Sequence, residues 1–274
     1  MPELPEVEVC RRGLQPEIEG QLILGAVVRS PRLRLPLATT LGETLAGQRV
    51  VAVRRRGKYL LLDCRGGVED GCLIIHLGMS GNLRFVAPDL PPGKHDHVDI
   101  VFPRQILRFA DPRRFGVVLW QAADAAPHPL LTVLGIEPLG EEFTADWLFA
   151  ATRRRAAPVK ALLMDSRLVT GIGNIYAAES LHRAGISPLR TGDRISRQRY
   201  RVLADSIRST LLASIAAGGS SVRDYVHSDG GAGCFQLTCA VYGRAGEPCP
   251  TCARPVSMIR QAGRSTFYCA GCQR

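Results

Sequence analysis

The residues with the simplest route to chemistry stand at the start of the chain, Met1-Pro2-Glu3. Removal of the initiator methionine leaves Pro2 with a free secondary amine. An α-amino group titrates near pH 8, against about 10.4 for a lysine, so a useful fraction is unprotonated at neutral pH. Such an amine attacks a sugar carbon or a carbonyl and forms an imine. Glu3 and Glu6 put two carboxylates within a few residues of it, and an amine nucleophile needs groups of that kind for proton transfer. The same acidic residues also suit the first turn of a helix, where they complement the macrodipole, so these residues alone leave both readings open.

The second constellation is Cys249-x2-Cys252, sixteen intervening residues, then Cys269-x2-Cys272. Paired thiols at this spacing form a four-thiolate zinc pattern, and two disulfides or four idle thiols fit an intracellular chain less well. Four thiolates leave no open coordination position, so one structural zinc is expected. Arg254, Arg260 and Arg264 lie between the pairs, on a small hairpin that would offer guanidiniums to phosphate. Cys10, Cys64, Cys72, Cys234 and Cys239 lack such spacing and read as core or incidental thiols.

The elements that must position these groups follow from periodicity. From Glu3 to about Gly20 a helix is expected, with Val7, Cys10, Leu14 and Ile18 on one face. Short apolar runs follow at 22–28, 49–53, 59–64, 72–76, 97–102 and 117–120, punctuated by Gly, Pro and Asp, as in a sandwich or barrel. The stretch AADAAPHP at 122–129 reads as a linker. Helices are expected at 157–164, 174–184 and 196–217, the last with Val202, Leu203, Ile207, Leu211 and Ile215 as one stripe and Gly218-Gly219 as its stop.

Composition narrows the partners. The 274 residues carry 35 Lys and Arg against 25 Asp and Glu, a formal charge of +10. Residues 160–274 hold fifteen basic against seven acidic residues, so eight of the ten net charges lie there. A polyanion, nucleic acid before membrane, is the expected partner. No apolar run reaches about 18 residues and no basic-then-apolar leader is evident, so cytoplasmic residence is expected. Only Lys58, Lys94 and Lys160 are lysines. Base composition of the genome accounts for most of that bias, yet a lysine kept among arginines can release a proton where a guanidinium cannot.

Weaker patterns complete the inventory. Gly171-Ile172-Gly173-Asn174 lies between two helical segments, where glycines let amides approach an anion, although a plain interhelical turn fits equally. Arg113-Arg114-Phe115 follows Asp111-Pro112, and Met79 sits between glycines in HLGMSG. An aromatic and a methionine on loops of a basic protein could wedge into a base stack, while burial in the core is the commoner fate.

Taken jointly and in order, MPELPEVE, GKYLLL, HLGMSG, KHDHVD, DPRRFG, Lys160 before LLMD, GIGNIYAAE and YGRAGEPCPTC through FYCAGC cover essentially the whole chain. On these motifs the sequence closely resembles the bacterial formamidopyrimidine-DNA glycosylases. The resemblance implies an α+β multidomain fold: an N-terminal β-sandwich with flanking helices over 1–125, a linker region over 126–150, a helix-two-turn-helix domain over 151–240 and a zinc finger over 241–274. It implies a bifunctional glycosylase and lyase of base excision repair that removes oxidised purines from damaged double-stranded DNA; a monomer is the simpler expectation, with no membrane partner.

Carried over by residue, the resemblance makes Pro2 the nucleophile at C1′ and Glu3 the group that assists opening of the sugar ring. Lys58 would contact phosphate and serve β-elimination, and Arg264 would serve δ-elimination. His95, Arg113, Arg155 and Asn174 match DNA-binding positions, and Lys160 a position implicated in the active site. Met79, Arg113 and Phe115 resemble residues that fill the vacated base stack. The segment Ser228–Cys239 resembles the family least and is expected to carry a damaged-base recognition loop. Two rival readings remain: a sister branch resembling endonuclease VIII, against which Leu4 and the full MPELPEVE run speak, and a non-catalytic DNA-binding protein, against which Pro2, Glu3 and Lys58 speak.

Overall fold

The computed structural model describes residues 2–220 and 239–274. Met1, Cys234 and the expected recognition segment up to residue 238 lie outside the described residues. The chain divides into two compact units, the first running to Thr132 with a second segment from Gly218, the second comprising Val133–Ala217 and the C-terminal segment through Arg274.

The first unit starts with helix α1 (Leu4–Ile18). Glu3 is its N-cap and Glu6 its third residue, and each side chain takes the other's backbone N–H in a capping box. This satisfies two of the orphan donors at the helix start. The expected stripe of Val7, Cys10, Leu14 and Ile18 is buried to 2 % exposure or less. Next come β1 (Gly25–Val28), α2 (Leu41–Leu45), β2 (Arg49–Arg56), β3 (Tyr59–Arg65), β4 (Gly71–His76), β5 (Asn82–Val86), β6 (Asp96–Val101), β7 (Ile106–Ala110), β8 (Val117–Ala122) and α3 (Pro129–Thr132). The strands make two antiparallel four-stranded sheets, ordered β1-β6-β7-β5 and β2-β3-β4-β8. Leu60, Leu62, Leu73 and Ile75 from one sheet share a core with Val98, Ile100, Leu107 and Phe109 from the other and with the α1 stripe. The result is the expected sandwich with a helix packed on it. Truncating any of these aliphatic side chains to alanine costs about 2–5 kcal/mol.

Strands β5 and β7 fall outside the apolar runs picked out above. In β7 the reason is Arg108, only 1 % exposed, which interrupts the run. A guanidinium tolerates burial only when its charge and donors are matched. Arg108 makes a bidentate pair with Asp99 (2.8 and 2.9 Å) and donates to the carbonyls of Leu90 and Pro91. Burial of the Asp99 carboxyl, which would raise its pKa, is outweighed by hydrogen bonds and charge from Arg108 and Arg29, which hold it below the usual range.

The second unit contains α4 (Ala145–Thr152), α5 (Val159–Leu163), α6 (Asn174–Arg183), α7 (Arg197–Ala216) and a hairpin of β9 (Ser257–Gln261) and β10 (Arg264–Tyr268). Thr144 Oγ1 caps α4 by accepting from the Trp147 amide at 3.0 Å, and Ser196 Oγ caps α7 by accepting from the Arg199 amide at 3.4 Å. Helix α7 packs against α4 and α6. Its stripe of Leu203, Ile207, Leu211 and Ile215 is buried as expected, whereas Val202 lies one residue round the helix and is 48 % exposed. Among the described residues no helix is long and apolar enough to cross a membrane. Cys10, Cys64 and Cys239 are buried and Cys72 is half-buried. Burial, with the neighbouring Asp63 charge, pushes the Cys64 and Cys72 thiols up to about 12, so they stay protonated and inert.

Candidate active site

Pro2 immediately precedes the α1 N-cap and is buried with Glu3, which is 2 % exposed. Sequence alone leaves Glu3 and Glu6 equivalent as proton carriers. Both are buried and share the capping box, and Glu6 has a further partner. Glu6 is fully buried; its Oε2 accepts from the Glu3 amide at 2.7 Å and its Oε1 from both the amide and the hydroxyl of Ser220, each at 2.8 Å. Glu6 is thus an anchor under the helix start, and Gly219 (φ +81°) brings the backbone close beside it.

Lys58 occupies the tight turn between β2 and β3. Gly57 precedes it at φ +58°, as the first central residue of a type II′ hairpin turn requires. That turn is tied to α1 by a strut: Arg55 donates from Nε to Glu8 Oε2 at 3.1 Å and from Nη1 to the Gly57 carbonyl at 3.0 Å. Arg11 and Arg12 also donate to Glu8, at 3.0 and 2.9 Å. Burial works to raise the Glu8 pKa, but hydrogen bonds from Arg11 and Arg12 and the charges of Arg11 and Arg55 outweigh it and hold the carboxyl at about 2 instead of 4.5. A depressed folded-state pKa stabilises above the unfolded value and is lost as pH falls through the folded one. The wild-type advantage in melting temperature over Glu8→Gln should therefore be constant above pH 4.5 and shrink as pH falls toward 2, in a thermal-unfolding series across that window. A difference independent of pH would show that Glu8 acts without its charge.

Beside this turn, at the end of β4, burial first and then the charges of Lys58 and Arg34 lower the His76 pKa to about 4. The imidazole is neutral at pH 7. Its Nδ1 accepts from the Gly78 amide at 2.9 Å, which assigns the proton to Nε2.

Two loops of the same unit present Met79, 39 % exposed, and Phe115, 44 % exposed. The core placement weighed for them in the sequence does not hold. Arg113 is exposed and its guanidinium lies 5.1 Å from the Phe115 ring centroid, a cation–π contact. Gly78 (φ +65°) lets the two loops touch, since a Cβ there would sit 2.5 Å from the Phe115 carbonyl carbon. His95 is exposed in the segment that enters β6.

In the second unit Lys160, 2 % exposed, directs its ammonium to Asn174 Oδ1 and Thr266 Oγ1, each at 2.6 Å, and to the Ser265 carbonyl at 3.4 Å. Asn174 Nδ2 donates to that carbonyl at 3.0 Å. Lys160 on α5, Asn174 at the start of α6 and the β9–β10 hairpin are thereby joined. Arg264 is exposed at the end of the hairpin's Ala262-Gly263 turn, whose two residues have φ +48° and +76°. A cavity of about 250 Å³ is lined by Lys160, Ala161, Met164, Gln261, Ala262 and Arg264. Arg155 is exposed after α4 and stands outside this set.

The four expected cysteines converge, with all sulfur atoms within 4.8 Å of one another. Cys252 and Cys269 are 3.4 Å apart and Cys249 and Cys272 3.9 Å apart, close to the roughly 3.8 Å edge of a tetrahedron with zinc–sulfur bonds near 2.3 Å. The donor set fits one structural zinc. His182 Nε2 lies 3.5 Å from Cys249 Sγ, placed to support that ligand from α6.

Sequence reasoning did not single out Glu8, Arg55, Ser80, Asp111 or Ser220. Only the Asp-Pro dipeptide at Asp111 carried a local sign, that of a turn.

Three family models match the chain: formamidopyrimidine-DNA glycosylase N-terminal domain over residues 1–118, formamidopyrimidine-DNA glycosylase H2TH domain over 134–226, and zinc finger found in FPG and IleRS over 246–274. The formamidopyrimidine-DNA glycosylase of Dechloromonas aromatica is 67 % identical, with both chains fully covered. That of Acidithiobacillus ferrooxidans is 53 % identical with the same coverage. Among solved structures, the MutM (Fpg) protein of Thermus thermophilus is 42 % identical, covers 99 % of this chain and 98 % of its own, and has a TM-score of 0.88. The Lactococcus lactis Fpg in complex with abasic-site-containing DNA is 36 % identical, covers 99 % of each chain and has a TM-score of 0.91.

Proposed function

Because this chain belongs to the formamidopyrimidine-DNA glycosylase family, we propose that it excises oxidised purines, 8-oxoguanine and formamidopyrimidines, from duplex DNA with Pro2 as nucleophile. It is a DNA glycosylase of base excision repair, and damaged DNA is its partner. It works as a monomer in the bacterial cytoplasm. The observation that carries the reading is the buried, capped start of α1, with Pro2 and Glu3 side by side.

The Pro2 nitrogen bonds to C1′ of the damaged nucleotide as the bond to the base breaks; the base leaves with the bonding pair and takes a proton. Glu3 passes a proton to the ring oxygen as the sugar opens, leaving an iminium at C1′. That cation acidifies the C2′ hydrogen, and its loss expels the 3′ phosphate in β-elimination. Loss of a further sugar proton expels the 5′ phosphate in δ-elimination, and hydrolysis returns the amine. No redox cofactor is required. Lys58 serves the β step and Arg264 the δ step, both at phosphate. The α1 dipole supports this assignment, because its positive end disfavours protonation of the adjacent amine and so raises the fraction that can attack. Zinc supplies structure to the hairpin bearing Arg264.

A base inside the duplex is unreachable until extruded, at a cost of a few kcal/mol. Met79, Arg113 and Phe115 offset that cost by filling the vacated stack. His95, Arg113 and Arg155 bind the DNA, Asn174 contacts phosphate, and Lys160 contributes by holding Asn174 and the hairpin.

The test is borohydride trapping on a duplex with one 8-oxoguanine opposite cytosine, followed by intact mass and peptide mapping. An adduct on Pro2 is expected. Tight binding without an adduct, from protein with a free N-terminus, would move the assignment to a non-catalytic or different-lesion role.

A further inference from the structure

The loops bearing Met79 and Arg113–Phe115 converge on one carboxylate. Asp111 is fully buried. Its Oδ1 accepts from the Ser80 hydroxyl at 2.7 Å and from the Arg113 amide at 3.3 Å, and its Oδ2 accepts from the Gly116 amide at 2.7 Å. Ser80 adjoins Met79, and Gly116 adjoins Phe115. The Asp111 amide donates to the carbonyl of His95 at 2.9 Å, and its own carbonyl meets His97 Nε2 at 2.9 Å. His97 is in turn held by Ser30 Oγ, 2.7 Å from its Nδ1.

Hydrogen bonds to a carboxylate are roughly twice as strong as neutral ones, and a buried hub satisfied on both oxygens fixes the geometry of everything bound to it. Arg114 is held at φ 56°, a strained conformation that persists where the surroundings over-determine the backbone.

We propose that Asp111 is the positioning residue that locks the two loops together, so that Met79, Arg113 and Phe115 enter the base stack as one preassembled wedge. This rests on the reading of those three as stack fillers. If each loop moved independently, insertion would have to order them while the base is leaving, and the extruded state would be less populated. A preassembled wedge avoids that ordering step.

The experiment compares single-turnover excision of 8-oxoguanine from duplex DNA with borohydride trapping at a preformed abasic site, where no base has to be extruded. Ser80→Ala removes the hydroxyl that joins the Met79 loop to Asp111 and to the Arg113 amide. Asp111→Asn keeps the shape but leaves one acceptor oxygen where the carboxylate has two, so it cannot accept from both Ser80 and Gly116. Each variant should slow excision by about tenfold to a hundredfold and leave abasic-site trapping within about twofold. Adding Ser80→Ala to Met79→Ala should cost less than the two losses summed, because Ser80 acts by placing Met79 as well as Arg113. The clamp is wrong if Ser80→Ala excises at the wild-type rate while Met79→Ala is slow, if the two losses simply add, or if both substrates slow equally. Wild-type excision by both Met79→Ala and Phe115→Ala would instead remove the stack-filling reading on which the clamp depends. Should Asp111→Asn fail to fold, Ser80→Ala and its double-mutant cycle still decide.

Discussion

Protein that keeps Met1 is expected to form no trappable adduct with 8-oxoguanine DNA and to excise the base on the order of a thousandfold or more slowly than processed protein. With Met1 attached, the Pro2 nitrogen is an amide whose lone pair is delocalised into the carbonyl, so it neither attacks C1′ nor carries an iminium. DNA affinity should change far less, since every side-chain cation is untouched. Intact mass separates the two forms, and trapping with single-turnover kinetics on each gives the comparison. Pro2→Gly is the companion variant: its primary amine should still be trapped, at a lower rate, because glycine lacks the ring that fixes φ ahead of the helix. Normal turnover by Pro2→Gly would remove any special need for proline, and an adduct from Met1-bearing protein would remove Pro2 from the mechanism.

Metal removal should have the second-largest effect. The small cluster beneath the finger consists of Ala178, Val241, Cys249, Val256 and Cys269, so two of its five buried members are themselves zinc ligands. Structural zinc contributes about 10–16 kcal/mol of apparent folding free energy in finger peptides, well beyond what Ala178, Val241 and Val256 supply with Tyr242 and Phe267 packed against them. Chelation, or Cys249→Ser, should release the metal and disorganise the hairpin that presents Arg264. Duplex affinity should fall by about tenfold or more, and the slope of log affinity against log salt should drop by roughly 0.9 for each lost phosphate contact. Metal content, anisotropy titrations at several salt concentrations and far-UV circular dichroism together check this. Unchanged affinity in metal-free, still folded protein would show that the finger does not take part in binding.

The parts of the molecule legible in sequence are those set by local pattern. Helix α1 follows from the three- and four-residue spacing of Val7, Cys10, Leu14 and Ile18, and the zinc site from two CxxC pairs. Helix α4 starts in the stretch expected as a linker region (126–150) and runs two residues beyond it; it had a visible Thr144 cap before Trp147 and Leu148, but its eight residues are too few for periodicity to stand out. Strand β7 was hidden because Arg108 reads as a surface residue until Asp99, nine positions earlier in the chain, is paired with it. Roles were harder than elements. Lys160 was legible as a lysine with a task, but its contact with Thr266 spans 106 positions, and no spacing rule reaches that far. Asp111 announced a turn through Asp-Pro; its place where the Ser80 loop, its own turn and the His95–His97 segment meet exists only after β4–β7 have packed.

Glu6 links two things that a chemist would otherwise vary separately. One oxygen holds the Glu3 amide, and the other holds Ser220. Displacing Ser220 takes two hydrogen bonds from the same buried carboxylate that holds the Glu3 amide in the cap beside Pro2. The first turn of α1 and position 220, 214 positions apart, are therefore joined through a single side chain, and an isotope label on the Ser220 amide reports on the hydrogen bond it gives to Glu6.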